Sequence, residues 1–150
     1  MDESAKKRAL ALLEKRDYSR KMLLDKLTEK GASDEDAADV ADWLCSVGVI
    51  DDQRYAGLVV RHYARKGYGP RRIREELFRR GIDRELWADS LEELPDTDET
   101  ITRLLSVKLR GSTDRGDMER ARNYLLRRGY SREEVRAALE HYLSENEEME

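Results

Sequence analysis

The chain has 150 residues, with 29 Lys and Arg against 33 Asp and Glu, a net charge of −4, and 41% charged residues overall. That length suits one or two small units and is short for a large enzyme core, and so polar a composition surrounds only a thin interior. No apolar run approaches the roughly 20 residues of a membrane span, and the single Cys45 excludes an internal disulfide and fits a reducing compartment.

Long runs of Ala, Leu, Glu, Lys and Arg, broken by only two prolines, predict helix throughout and little strand. The first segment, MDESAKKRALALLEKR, is charged and amphipathic, with Ala9, Leu10, Leu12 and Leu13 as its apolar stripe. It lacks the apolar core and cleavage site of a secretory signal, so a cytoplasmic location is expected.

The segments SRKMLLDKLTEKGAS (19–33), GPRRIREELFRRGID (69–83) and DMERARNYLLRRGYS (117–131) align at offsets of 50 and 48 residues. Leu23, Ile73 and Ala121 coincide, as do Leu27, Leu77 and Leu125 four positions later, where one helix face turns to a core. Gly31, Gly81 and Gly129 coincide where a left-handed residue ends a helix. Two residues on, Ser33, Asp83 and Ser131 coincide as N-caps of the next helix.

A helix precedes each of these segments and another follows it. The preceding helices carry Tyr55, Leu58, Val59 and Tyr63 in the second case, and Ile101, Leu104, Leu105 and Leu109 in the third. The closing helices carry Val40, Trp43, Leu44 and Val47, then Leu86, Trp87, Leu91 and Leu94, then Val135, Ala138, Leu139 and Tyr142. The expected fold is all-α: three tandem three-helix repeats at 1–49, 50–95 and 96–150, the last ending in an acidic tail. Stacked repeats form an elongated, curved array that binds along one face. Gly111 to Asp117 read as an irregular, mobile loop.

Charge is segregated along this frame. Residues 51–83 carry 9 basic and 5 acidic side chains and residues 101–139 carry 10 and 5, whereas residues 84–100 carry 1 and 7. The two basic blocks pair with the acidic ones or form a local surface for an anion. Arg72, Arg74, Arg79 and Arg80 coincide with Arg120, Arg122, Arg127 and Arg128 at the offset of 48. On a helix turning ~100° per residue, Arg72 and Arg79 share one flank, as do Arg120 and Arg127, with Arg74 on the other flank and Arg71 facing outward. Glu75 and Glu76 neutralise part of this through pairs with Arg71, Arg72, Arg79 and Arg80. Candidate partner or nucleic-acid contacts are therefore Arg71, Arg72, Arg74, Arg79, Arg120, Arg122 and Arg127. A solvated helix face is the alternative.

Catalytic signals are weak. His62 and His141 have no Cys or carboxylate at a ligand or triad spacing, and Cys45 beside Trp43 and Leu44 reads as a small core residue. Asp51 and Asp52 read as N-caps of the helix through Tyr55. No catalytic residue, metal or cofactor is assigned. The turn Gly67-Tyr68-Gly69-Pro70 follows a helix rather than a strand, unlike dinucleotide and nucleotide-triphosphate loops. It leaves a single possible phosphate contact at Gly69, Arg71 and Arg72, at a helix N-terminus.

The segments ALALLEKRDYS (9–19), DDQRYA (51–56), KGYGPRRIREELFRRGID (66–83) and YLLRRGYSREEVRAAL (124–139) resemble the RecX family of bacterial recombination regulators. The resemblance covers almost the whole chain, and its most specific motif is Gly-Tyr-Gly-Pro followed by Arg-Arg-Ile. It implies tandem three-helix units, and a non-enzymatic protein is expected, working as a monomer. It also implies binding in the groove of the RecA filament with contact to single- or double-stranded DNA, restraining ATP hydrolysis and strand exchange in recombination and SOS repair. This chain departs from a simply basic binder through its net negative charge and its acidic tail SENEEME (144–150), which favour protein contacts over free DNA. The other readings are a stand-alone DNA-binding protein of helix-turn-helix type and a helical adaptor for another protein.

Overall fold

The computed structural model describes residues 1–148. Among them there is no strand, and the elements in chain order are α1 (Glu3–Lys15), α2 (Arg20–Glu29), α3 (Asp34–Ser46), α4 (Asp52–Arg65), α5 (Pro70–Arg79), a 3-10 turn (Arg84–Leu86), α6 (Trp87–Leu91), α7 (Thr97–Leu109), α8 (Arg115–Arg127) and α9 (Arg132–Glu148). The all-helical expectation is met. The last two residues of the acidic tail lie outside the described residues.

The helix starts follow local chemistry. Ser19, Ser33 and Asp114 each accept the N–H three residues on, at 3.2, 3.1 and 3.2 Å. Ser131 and Glu134 form a reciprocal capping box, each accepting the other's N–H at 3.1 Å. Asp83 differs from its counterparts: it stands at the cap position without a side-chain hydrogen bond, a 3-10 turn follows, and α6 is only five residues long. Leu94 consequently falls beyond the closing helix of the middle repeat. Residues 115–117, expected within a loop, form the first turn of α8, because the Asp114 cap satisfies its amides.

By packing, the described residues form two compact units. The first holds residues 1–59 and 76–90; the second holds residues 60–75 and those from Leu91 onward. α4 and α5 each contribute to both. In the first unit, Ala5, Ala9, Leu23, Leu27, Ala37, Val40 and Leu44 pack together at no more than 3% exposure, each large aliphatic side chain contributing about 1.5–3 kcal/mol. In the second, Ile101, Leu105, Leu109, Ala121, Leu125 and Val135 pack together at no more than 4% exposure. The aligned leucines and their partners are thus core residues, whereas Leu10, Val47 and Leu58, expected in apolar stripes, are 39%, 53% and 39% exposed.

The aligned glycines end their helices as expected, with φ of +106° at Gly31, +74° at Gly81 and +102° at Gly129. Two of them carry a second constraint. A Cβ on Gly81 would lie 2.5 Å from Lys21 Cβ, and one on Gly129 would lie 2.6 Å from the backbone N of Arg72, whereas Gly31 has nothing within 4 Å. The turns at Gly81 and Gly129 are pressed against the start of the matching helix one repeat earlier. In the first unit the buried Ser19 hydroxyl donates to the Arg80 carbonyl at 2.5 Å. In the second unit the Gly69 N–H donates to the Arg128 carbonyl at 2.7 Å and the Arg71 N–H to the Gly129 carbonyl at 3.2 Å. Ser19 and Gly69 are aligned positions, and so are Arg80 and Arg128. The same joint is therefore built twice.

Asp52 also serves this junction. Its Oδ1 accepts the Arg20 N–H of α2 at 2.9 Å, while Asp51 alone caps the helix that follows, accepting from Arg54 at 3.2 Å. Burial raises the Asp52 pKa, followed in effect by the Asp83 and Asp51 carboxylates, against the opposing pull of the Arg20 N–H and its charge.

These contacts rank the glycines. Gly31→Ala is expected to cost about 1–2 kcal/mol, the strain of a left-handed residue. Gly129→Ala adds overpacking against Arg72, worth about a further 1–3 kcal/mol. Chemical denaturation of the two variants checks this, and equal losses would contradict it.

Candidate nucleic-acid interface

α5 and α8 carry the aligned arginines, and the structure sorts them by what each touches. Pro70 opens α5 where no amide hydrogen is needed. Arg71 faces outward, but its Nη2 donates to the Leu126 carbonyl at 2.7 Å, and its Nη1 stands 3.7 Å from Glu75. It therefore caps the C-terminal turn of α8, where a cation also suits the helix dipole. Arg72 is half-buried, with its guanidinium 5.3 Å from the centre of the Tyr68 ring.

Arg128, at the position aligned with Arg80, lies 4.1 Å from the centre of the same Tyr68 ring and 5.3 Å from that of Tyr124. It also donates to the Lys66 carbonyl. Lys108 in turn lies 4.7 Å from the Tyr124 ring. Cations and tyrosines alternate here as Arg72, Tyr68, Arg128, Tyr124, Lys108, each contact worth about 0.5–1 kcal/mol where exposed and more where desolvated. This ladder holds the second unit together and was not foreseen. Tyr124 and Arg128 stand one helical turn apart, a spacing that was visible; the approach of Tyr68 depends on the folded turn.

Arg79 and Arg80 belong to the first unit. There Glu76, only 2% exposed, accepts from Arg79 at 2.9 Å and from Arg80 at 3.4 Å. Arg80 further donates to the Tyr55 hydroxyl at 2.5 Å. The pairing of Glu75 and Glu76 with Arg71, Arg79 and Arg80 agrees with the expectation. Arg79 retains a 67% exposed side chain.

Arg120 pairs with Asp117 and Arg122 stands 3.9 Å from Glu119, both on their own helix and both well exposed. Such surface pairs contribute little to stability and exchange readily for another anion. Arg74 and Arg127 are exposed and make no salt bridge among the described residues. Arg71 and Arg72 thus meet the C-terminal end of α8, which carries Arg127, while Arg120 and Arg122 lie in the middle of that helix, Arg120 about 10 Å along the axis from Arg127.

The proposed phosphate contact at Gly69, Arg71 and Arg72 is corrected by this geometry. The amides of Gly69 and Arg71 already donate to the Arg128 and Gly129 carbonyls. A Cβ at Gly69 would meet the Gly129 carbonyl carbon and oxygen at 2.7 Å, so no space remains over the turn. Tyr130 closes it further, its hydroxyl donating to the Gly67 carbonyl at 2.9 Å, and burial raises its pKa to about 12.

The cysteine and the two histidines stand apart from one another among the described residues. Cys45 is exposed rather than in the core, because its position on α3 faces away from the packed stripe of Val40 and Leu44. Partial burial and then Asp52 raise its thiol pKa, the opposite of nucleophile activation. His62 is exposed, edge-on to Tyr63. His141 does have a carboxylate neighbour, Glu145 at 2.9 Å one turn on, as an exposed surface pair. Among the described residues no group of three metal-ligating side chains converges, and no helix is long and apolar enough to cross a membrane.

Removing the Arg71 side chain is expected to lower stability by about 1 kcal/mol, since it leaves the Leu126 carbonyl without its donor. Arg74→Ala and Arg127→Ala are expected to stay within about 0.5 kcal/mol of the parent protein. Urea titration distinguishes these, and a destabilised Arg127→Ala would contradict the division.

Glu134 offers a pH readout. Burial pushes its pKa up, but hydrogen bonds from the Thr97 hydroxyl and from Ser131, with the Arg74 charge, outweigh this and hold it below the usual range. A depressed folded pKa gives stability that is present above the unfolded value of about 4.3 and is lost as pH falls through the folded one. Glu134→Gln should therefore be less stable than the parent at neutral pH, with the gap closing as pH falls below the unfolded value. A gap independent of pH would contradict this.

Comparison with known proteins matches this architecture. Residues 5–44 fit the family model described as "RecX, first three-helix domain", and residues 51–91 fit "RecX, second three-helix domain". The chain is 36% identical over 140 residues to "Regulatory protein RecX" of Xanthomonas axonopodis pv. citri, covering 91% of this chain and 86% of that protein. It is 36% identical over 136 residues to "Regulatory protein RecX" of Chromohalobacter salexigens, covering 89% of each. The crystal structure of RecX from Lactobacillus salivarius superposes with a TM-score of 0.79 at 23% identity, covering 93% of this chain and 94% of that one, which extends the likeness to the fold. With relatives at this identity over nearly the full length, the chain belongs to the RecX family.

Proposed function

We propose that this protein is a non-enzymatic regulator of the RecA recombinase, binding the RecA filament and its DNA and inhibiting ATP hydrolysis and strand exchange during recombination and SOS repair. The observation that carries this reading is near-full-length identity to relatives named regulatory proteins. The exposed arginines add a physical route. Arg74, Arg120, Arg122 and Arg127 present exposed charge that makes no salt bridge among the described residues or is held only by surface carboxylates, and Arg79, though paired with the buried Glu76, keeps a 67% exposed side chain; such charge suits phosphates or acidic protein surface. Arg71 and Arg72 contribute through the joint they hold. We assign the three repeats to 1–49, 50–95 and 96–150 and take the working form as a monomer in the cytoplasm, where its partner acts.

The test is titration of the protein into RecA hydrolysing ATP on single-stranded DNA. The rate is expected to fall. The variant Arg74→Ala/Arg79→Ala/Arg120→Ala/Arg127→Ala is expected to need at least about tenfold more protein, with a salt dependence shallower by roughly 0.7 per lost single-strand phosphate contact. An unchanged rate at saturating protein would overturn the reading. Tight, salt-dependent duplex binding without any effect on RecA would instead establish a stand-alone DNA binder.

A further inference from the structure

Phe78 is the only phenylalanine of the chain, and it stands 73% exposed on α5. On a helix turning ~100° per residue it lies about 140° from the buried Ile73, on the outward face. The repeat does not demand an apolar residue at this position. The aligned Thr28 is polar, its hydroxyl donating to the Asp25 carbonyl at 2.9 Å.

The other rings of the protein are covered. Trp43, Trp87, Tyr18, Tyr55, Tyr68 and Tyr124 each have a cation within 5.8 Å of the ring centre. Tyr130 and Tyr142 are buried, and Tyr63 meets Tyr68 edge-on at 5.6 Å. Among the described residues no ring or cation sits on Phe78. Its outward neighbours on the same continuous helix are Arg74 four residues back, Glu75 three back and Arg71 seven back, with Arg79 next in the chain. Glu75 stands 3.7 Å from Arg71, Arg79 keeps a 67% exposed side chain, and Arg74 makes no salt bridge among the described residues. Past the helix end the Lys21 stem crosses Gly81, and its amine pairs with Asp25 at 3.0 Å.

These surroundings select the occupant. No other exposed large apolar side chain lies on α5 among the described residues, so the ring is not the centre of an apolar patch. One phenylalanine offers at most about 250 Å², against the roughly 800 Å² per partner of a stable protein interface. A nucleobase is a flat π-surface carried on a phosphate chain. A ring with free faces and arginines within two helical turns meets both of its parts. In a duplex every base is already stacked on its neighbours, and a ring on a helix surface gains nothing there without first unstacking them.

We infer that Phe78 is a base-stacking residue, taking the face of one unpaired base of single-stranded DNA while Arg74 and Arg79 attract the adjoining phosphates. It thereby gives the protein a preference for single strands that phosphate contacts alone do not supply. This rests on the DNA-contact part of the reading above and not on binding to RecA.

The experiment titrates full-length parent, Phe78→Ala and Phe78→Trp at low salt, without RecA, into three probes of equal length. These are a single-stranded oligothymidylate, the same phosphodiester chain with abasic sugars, and a duplex. Parent and Phe78→Trp are expected to bind the oligothymidylate at least about fivefold more tightly than the abasic chain, the low end of what one stacked base contributes. Phe78→Ala is expected to bind those two chains alike, with its duplex affinity and salt dependence unchanged. Phe78→Ala binding the oligothymidylate as tightly as the parent would overturn the inference. So would an equal loss on all three probes, or no binding of the oligothymidylate by the parent. Each of those results leaves the RecA reading to its own ATPase titration.

Discussion

The carbonyl one residue before each glycine turn is the group on which much else depends. A helix C-terminus leaves its last carbonyls without intrahelical partners, and burying one unpaired costs about 1–3 kcal/mol. At Arg80 the donor is the Ser19 hydroxyl; at Arg128 it is the Gly69 amide. Both donors stand at the entry of the middle helix one repeat earlier. The approach this requires leaves no room for a Cβ at Gly81 or Gly129, so the glycine answers two demands at once. At Gly31 nothing lies within 4 Å of a Cβ, only the backbone demand remains, and the Arg8 side chain donates to the Lys30 carbonyl instead.

This joint changes the meaning of the repeated arginines. Arg71 caps α8, while Arg72 and Arg128 stack on Tyr68. Arg80 is anchored on Glu76 and Tyr55. Of these, Arg80 and Arg128 are aligned and both are held inside their own unit, whereas Arg71 has no arginine counterpart and Arg120, aligned with Arg72, makes only a surface pair. What remains for a partner is a smaller set whose charge faces solvent. Local basic side chains matter at distances of about a Debye length, ~8–10 Å at physiological salt, so the net charge of −4 does not cancel these exposed arginines.

Much of the fold was legible because it is written in period and in punctuation. Leu23, Leu27, Ile73, Leu77, Ala121 and Leu125 all have 0% exposure, as their four-residue spacing required. The glycine caps followed from the need for positive φ. What escaped was whatever two distant segments decide together. Asp52 caps α2 rather than its own helix, because folding brings the Arg20 amide to it. The Gly69 turn resembled an anion site, since its amides are free in the sequence view and become engaged only when residues 128–129 arrive. Helical angles placed Arg72 on an exposed flank, but Tyr68 and the Gly129 turn half-bury it. Asp83 showed the limit of the repeat alignment, since a matched residue type does not ensure a matched cap.

The Gly69 turn is an occupied joint between repeats and not an open anion site. Native-state hydrogen exchange at the Gly69 amide is the decisive measurement. Protection close to that of core amides of α8 such as Leu125 is expected, lost only with cooperative opening of the second unit. Exchange within about tenfold of an unstructured peptide would contradict it, and with it the division of the arginines into those that build the protein and those that face a partner.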